Sequence, residues 1–149
     1  MERGTIEEEC VNLNEIPKDS KLDIWPIKKG HKFKFLKDET GTYRMIDLGI
    51  SAVIQALWDN GYKTRFCCEG HNSSGGYIMF ESRRKEQELV ERVIHNYFEE
   101  SVSSYLELTI KTKPNIMIRF RSSRPDIDTQ GEYKEDIKKI LLETIEELS

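Results

Sequence analysis

Three stretches of the chain carry apolar residues at the spacing of an amphipathic helix. In the first stretch, the residues at positions i, i+3, i+4 and i+7 are Ile50, Val53, Ile54 and Leu57. Such a stripe covers one face of a helix that turns about every 3.6 residues. The predicted helices span residues 47–60, 83–99 and 131–147. Asp47 is expected to cap the first helix, and the pair Asn60-Gly61 is expected to end it.

Six further segments have the lengths and residue types of strands, most with alternating apolar and polar positions. They span residues 32–35, 42–46, 62–67, 77–80, 106–111 and 116–121. With the helices, they give the order strand-strand-helix three times. Short hairpins join antiparallel strands, and helices with one apolar stripe pack on one face of a sheet. The expected fold is therefore α+β, a two-layer sandwich with a mixed, largely antiparallel sheet and the helices on one face. Met79 and Phe80 are expected in its core.

The N-terminal part of the chain lacks this regularity. Residues 1–30 are first acidic and then irregular, with Pro17 and Pro26 interrupting them, and they predict an arm with one short strand. Residues 31–149 predict a single α+β domain, because no linker or low-complexity tract divides them. Trp25, next to Pro26, is expected either to pack against the domain or to lie at a partner surface.

Composition limits the partners and the compartment. The chain has 149 residues, of which 37% are hydrophobic, and a formal net charge of −4. A general nucleic-acid-binding protein normally has a basic excess, so that class is not expected. No apolar run approaches the ~20 residues that span a bilayer, and the first residues lack the apolar stretch of a signal peptide. We therefore expect no membrane partner, a cytoplasmic location and reduced cysteines.

The loop at residues 67–76 is the segment most suggestive of a function. Its sequence is Cys-Cys-Glu-Gly-His-Asn-Ser-Ser-Gly-Gly, and its glycines are expected to leave backbone N–H groups free to approach an anion. Adjacent residues on a strand point to opposite faces, so Cys67 and Cys68 are expected to remain thiols, one packed in the core and one lining the loop. The candidate ligand-binding residues here are Cys67, Cys68, Glu69, Gly70, His71 and Asn72.

Arginines on two strands form a second candidate group. Arg119 and Arg121 share the strand face opposite the apolar residues, and Arg124 lies in the loop that follows. Arg65 is expected on the outer face of its own strand. Guanidinium groups bind phosphate in bidentate fashion, so these residues predict a phosphate site. If strands 62–67 and 116–121 run in the same direction, His71 is expected to share a pocket with Arg119 or Arg121.

The spacing Cys68-x-x-His71 permits two other chemistries. It is half of a zinc site, but no second paired motif supplies the remaining ligands, so we expect no structural zinc and no cofactor. It is also a potential pair of nucleophile and base, which requires a lowered thiol pKa and a third group that orients the histidine. This second possibility keeps an enzyme open as an alternative.

Residues 61–71, followed by the strand 77–80, resemble a motif in short, uncharacterised proteins of Firmicute bacteria and their phages. There, a helix ending in glycine leads into a strand, then Cys-Cys-x-Gly-His, then a second strand. A fainter similarity connects Cys68-Glu69-Gly70-His71 and Ile118-Arg119 with the tRNA methyltransferase family of wybutosine synthesis. The first resemblance implies a small phage- or Firmicute-type protein. The second implies a fold and, more remotely, a nucleotide- or RNA-directed enzyme.

These observations favour a non-enzymatic protein that sequesters a phosphorylated, nucleotide-like ligand and counters host defence signalling. A phage-encoded version would act in the host cytoplasm. Two alternatives stay open: an enzyme that uses Cys68 and His71, and an inhibitor that binds a host protein through its acidic arm and outer sheet face. A homo-oligomer is compatible with each of them.

Overall fold

The structure, a computed structural model, describes residues 2–70, 75–99, 105–129 and 131–149. These residues form four α-helices and seven strands. The helices are α1 (Ile6–Glu9), α2 (Ser51–Asp59), α3 (Arg84–Glu99) and α4 (Glu132–Leu148). The strands are β1 (Leu22–Asp23), β2 (Phe33–Lys37), β3 (Tyr43–Asp47), β4 (Thr64–Cys68), β5 (Gly76–Phe80), β6 (Leu106–Lys111) and β7 (Ile116–Ser122). No helix among these residues is long and apolar enough to cross a membrane.

The strands form two sheets. The first has the order β1-β3-β2, in which β1 runs parallel to β3 and β2 runs antiparallel to it. The second has the order β4-β5-β7-β6 and is antiparallel throughout. The α+β class and the repeated order strand-strand-helix are confirmed. The predicted single sheet is divided in two: β1 pairs with the side of β3 that faces away from β2, and β3 does not pair with β4.

All three predicted helices are present, with ends that differ by a few residues. The first begins as a 3-10 turn, Leu48–Ile50, before α2. The capping prediction for Asp47 was wrong, because its carboxylate makes no cap hydrogen bond and instead accepts one from the backbone N–H of Glu69 at 3.0 Å. Gly61 follows the end of α2 with φ +82°, the left-handed conformation that glycine adopts without steric cost.

Helices α3 and α4 pack on one face of the four-stranded sheet. Ile78, Ile118 and Phe120 point from the sheet into this layer, and their side chains are almost fully buried. Phe80 is buried with them, as predicted. The prediction for Met79 was wrong: it is only half-buried, because the alternation of side chains along β5 places it on the opposite face.

The predicted arm packs against the three-stranded sheet. Its short strand, β1, pairs with Tyr43 and Arg44 of β3. Asn12 joins the arm to β2, since its side chain donates to the Phe35 carbonyl and accepts from the Phe35 N–H. These contacts hold residues of the arm beside the domain core.

Candidate functional site

The direction of the strands brings the ends of β4 and β7 to the same edge of the sheet. Both strands run antiparallel to β5, which lies between them, so they point the same way. The polar segment after Cys68 and the loop after Ser122 therefore leave the sheet at one edge. This direction was the open condition in the sequence argument for a shared site, and the structure meets it.

Cross-strand pairing then builds a row of side chains along that edge. Tyr77 pairs with Cys68 on one side and with Arg119 on the other, and Arg119 pairs with Thr109. All four lie on the sheet face that points away from α3 and α4, which we call the open face. The neighbouring row on the open face consists of Phe66, Met79, Met117 and Lys111.

A groove of about 530 Å³ lies on the open face. Its lining residues are Cys68, Gly75, Gly76, Tyr77, Glu107, Thr109, Lys111, Arg119, Phe120 and Arg121. Three cations and one carboxylate are among them, although the whole chain has a net charge of −4. The groove is therefore a local basic site on an acidic protein.

The two arginines of this groove differ in their partners. Arg121 donates from Nε and Nη2 to the Glu107 carboxylate at 3.0 and 2.6 Å. The side chain of Arg119 makes no hydrogen bond or ion pair with any other residue in the described part of the chain. Its charge acts on Tyr77: burial raises the pKa of that phenol, and the nearby guanidinium opposes the rise. The guanidinium donors of Arg119 are thus not engaged by another side chain in the described part of the chain.

Two glycines shape the groove at the edge of the sheet. Gly75 has φ +81°, and a Cβ added there would lie 2.2 Å from the Phe120 carbonyl oxygen and 2.6 Å from Cβ of Arg121. Gly70 has φ +85°, and its added Cβ would lie 2.5 Å from the Gly75 carbonyl carbon. Only glycine fits such close approaches of backbone to backbone. The close packing places Gly75 directly beside Arg121.

The backbone of Gly70 is already engaged within the protein. Its N–H donates to Sγ of Cys68 at 3.4 Å, and its carbonyl accepts from Nζ of Lys134 at 2.7 Å. The expectation that the glycine N–H groups are free for an anion is therefore wrong at Gly70. His71 and Asn72 lie outside the described residues.

The adjacent cysteines point to opposite faces, as predicted. Cys67 packs against the core, and burial, followed by the charge of Asp47, raises its pKa to about 12. Cys68 lines the open-face groove, where burial raises its pKa despite the hydrogen bond from the Gly70 N–H. Raised pKa values keep both groups as thiols at neutral pH, and Cys67 does not line the groove.

Three other predicted residues do not line this groove. Arg65 lies at the far end of the sheet, 4.0 Å from a Glu81 carboxylate oxygen and 3.4 Å from the Asn115 side-chain oxygen. Its strand has a β-bulge between Thr64 and Phe66, which also breaks the predicted alternation and leaves Phe66 exposed.

Glu69 and Arg124 also point elsewhere. The Glu69 carboxylate lies against Gly49, where an added Cβ would meet it at 1.7 Å. Arg124 is exposed and lies 3.8 Å from Asp126. The open-face groove therefore contains Cys68, Arg119 and Arg121 from the predicted set.

Sequence reasoning missed four polar members of the groove. Glu107, Thr109 and Lys111 alternate along β6, and that alternation was a usable signal for a shared face. Along β5, Tyr77 alternates with the buried Ile78, and the same signal would have placed Tyr77 on the open face.

The described residues contain no group of three or more His, Cys, Asp or Glu side chains placed to hold a metal ion.

The geometry of the open face is the basis for any functional assignment. No protein-family model matches the chain, and searches of the curated proteins and of the solved structures found no match.

Proposed function

We propose that the protein binds a phosphorylated, nucleotide-like small molecule in the open-face groove. The observation that carries this proposal is Arg119, a guanidinium on a rigid strand without a carboxylate partner among the described residues. A charged side chain held without a counter-ion attracts an anion of matching geometry, and phosphate matches the guanidinium fork. Lys111 adds a second positive charge to the groove, and the charge of Arg121 is partly offset by Glu107.

The size and the side chains of the groove suit a mononucleotide-sized ligand. A volume of about 530 Å³ falls within the range of small-molecule sites. The ring of Tyr77, half-buried beside Arg119, offers an apolar surface on which a base can stack. The phosphate group is assigned to the arginine side of the groove, and the base to the side of Tyr77.

We favour binding over turnover because of the state of Cys68. An attacking cysteine needs a lowered pKa, whereas burial raises the pKa of this thiol. An enzyme that uses Cys68 with His71 remains the alternative. It predicts that purified protein consumes a bound nucleotide and that Cys68→Ser abolishes the reaction.

The likeness to short Firmicute and phage proteins gives this proposal a biological form. A small protein that binds a nucleotide signal without consuming it lowers the free concentration of that signal. Such sequestration counters host defence signalling, and in that setting the protein acts in the cytoplasm of the host.

Calorimetric titration with defined probes tests the proposal. The probes are pyrophosphate, AMP, ADP and a cyclic dinucleotide, with adenosine as the uncharged control. Arg119→Gln is expected to weaken the best phosphorylated probe about tenfold or more, because hydrogen bonds to charged groups contribute about 1.5–3 kcal/mol. Arg65→Gln, on the same sheet but at its far end, is the matched control and should stay within about twofold.

Two results would count against the proposal. One is equal affinity in Arg119→Gln and in the wild-type protein. The other is the absence of binding by every phosphorylated probe when the wild-type protein is folded. Chromatography of the recovered probe separates binding from turnover, since a binding protein returns the probe intact.

A further inference from the structure

The open face continues along the strands beyond the open-face groove. Met79 of β5 and Met117 of β7 pair with each other in the row next to Tyr77 and Arg119. Both methionines are half-buried, so part of each side chain is accessible to a ligand. In the same row, Met117 pairs with Lys111 of β6, and Lys111 also lines the groove. Lys111 therefore connects the groove with the methionine pair.

The same arrangement of an apolar and a basic side chain occurs twice on this face. In one row, Tyr77 is on β5 and Arg119 lies directly across from it on β7. In the next row, Met117 is on β7 and Lys111 lies directly across from it on β6. From the first row to the second, the apolar and the basic position both move by one strand and by two residues. Diagonal neighbours of this kind are about 7–8 Å apart, so two apolar surfaces and two cations repeat at the same spacing.

Within the described residues, neither of the two cations has a carboxylate partner. Lys111, like Arg119, is exposed, and its ammonium group makes no ion pair or hydrogen bond there. Arg121, one row nearer the edge of the sheet, differs because Glu107 accepts hydrogen bonds from its guanidinium. This ion pair ends the repeat on that side.

The repeat limits the chemistry of a matching ligand. A nucleotide presents one flat ring with an apolar face and one phosphate group, and a single row accommodates one of each. Two rows at the same spacing match a ligand that has two bases and two phosphate groups. A net charge of −4 disfavours long polyanions, and two cations contact only two phosphates, so the complementary ligand is short.

We infer that the ligand of the open face is a dinucleotide unit, in which two nucleosides are joined through a phosphodiester. This inference rests on the proposed function and names the class of its ligand. One base stacks on the Tyr77 ring, and the other lies on Met117 and its neighbour Met79. One phosphate lies against Arg119 and the other against Lys111. Open sheet faces bind the unstacked bases of a single strand in this way, with separate side chains for successive bases.

Calorimetric titration with AMP and with 5′-phosphorylated diadenylate, pApA, tests the inference. pApA should bind at least about tenfold more tightly than AMP, because it adds a second base contact and a second phosphate contact. The ratio of the two affinities should fall at least about fivefold in Met117→Thr and stay within about twofold in Met45→Thr, a half-buried methionine of the other sheet. Lys111→Gln should weaken pApA about fivefold or more. Lys139→Gln is its matched control, because Lys139 is exposed on α4, behind the opposite face of the sheet.

The outcomes separate this inference from the proposed function. If wild-type protein binds AMP and pApA within about twofold of each other, the inference is wrong and the proposed function stands. If the folded protein binds neither probe nor any other phosphorylated compound, both fail. An unchanged ratio in Met117→Thr also overturns the inference, since the second base then lies elsewhere.

A single-stranded oligoadenylate dodecamer identifies the source of the dinucleotide unit. Affinity at least equal to that of pApA assigns the unit to a strand of nucleic acid. Affinity at least about tenfold weaker assigns it to a free dinucleotide, because the flanking nucleotides are then excluded from the site. The dinucleotide unit is the ligand in both cases.

Discussion

The open-face groove and the groove between β3 and β4 use arginine in opposite ways. The second, which we call the inter-sheet groove, is lined by Arg44, Trp58, Thr64 and Phe66 among other residues. Arg44, in the inter-sheet groove, lies between the carboxylates of Asp38 and Asp23. Arg119, in the open-face groove, has no such partner among the described residues. The same side chain therefore holds two segments of the chain together in one region and remains available to a ligand in the other.

This contrast shows why a count of arginines does not locate an anion site. An exposed guanidinium paired with a carboxylate has its charge offset, and the pair contributes only about 0–1 kcal/mol to stability. An unpaired guanidinium has no charge offset, and because its planar fork is pre-organised, it loses less entropy for each hydrogen bond that it forms with an anion. The predictions that follow test whether arginine pairing and local packing account for the difference between the two grooves.

The largest expected effect concerns the backbone at the edge of the open-face groove. Gly75 and Gly30 both have positive φ, +81° and +88°, but only Gly75 is closely surrounded. Gly30→Ala, with no atom within 4 Å of the new Cβ, should cost about 1 kcal/mol for the left-handed conformation alone. Gly75→Ala should cost about 3 kcal/mol or more, because the Cβ also collides with the Phe120 carbonyl and Arg121.

Urea denaturation of both variants measures this difference. Equal losses of unfolding free energy would mean that the backbone around Gly75 adjusts to a methyl group. The open-face groove would then be less rigid than its contacts indicate. A larger loss at Gly75 should be accompanied by weaker binding of the phosphorylated probe, since Arg121 lies against the new methyl group.

Much of the architecture was predictable from periodicity, because it depends on local spacing. The apolar stripe of α2 and the alternation along β7 each determine which side of the element is buried. The same alternation placed Arg119 and Arg121 together on the exposed side of β7. Alternation also predicted that the two adjacent cysteines lie on opposite faces, but not that Cys67 is the one toward the core.

The remaining features depend on pairing between distant segments. A bulge at Arg65 shifts the faces of the residues after it, and no local pattern marks its position. The neighbour of Arg119 across the sheet is Tyr77 on one side and Thr109 on the other, and this register follows from the pairing of whole strands. The pairing of β1 with β3 comes from an irregular segment without strand periodicity.

The second effect, of intermediate size, concerns the paired arginine of the inter-sheet groove. Burial alone would raise the pKa of Asp38, but hydrogen bonds from Thr40, Arg44 and the Thr42 N–H lower it from 3.8 to about 2. A carboxylate with a lowered folded-state pKa stabilises the fold fully above its unfolded-state pKa, and this contribution is lost as the pH falls toward 2.

The difference in unfolding free energy between wild type and Asp38→Asn should therefore shrink by about half between pH 5 and pH 3. Thr40→Ala, which removes one of the hydrogen bonds, should keep the same sign with a smaller amplitude. Chemical denaturation at the two pH values provides the measurement. A difference that does not change with pH would show that Asp38 contributes no charge-dependent stability to this region.

The smallest expected effect would sharpen the contrast at the open face itself. Glu107 is the one carboxylate that lines the open-face groove in the described chain, and it accepts from Arg121 at 2.6 Å. Glu107→Gln removes its negative charge, so Arg121 should resemble the unpaired Arg119, and the affinity for pyrophosphate should rise about threefold. Glu81→Gln is the matched control, because Glu81 lies near Arg65 at the far end of the sheet and is similarly exposed. Calorimetry at low salt provides the measurement, and added salt should reduce the gain by screening.

Equal affinity in wild type and Glu107→Gln would mean that Arg121 takes no part in anion binding and that Arg119 and Lys111 account for it. An equal gain in Glu81→Gln would instead point to the overall charge of the protein, and the distinction between paired and unpaired arginines would lose its support.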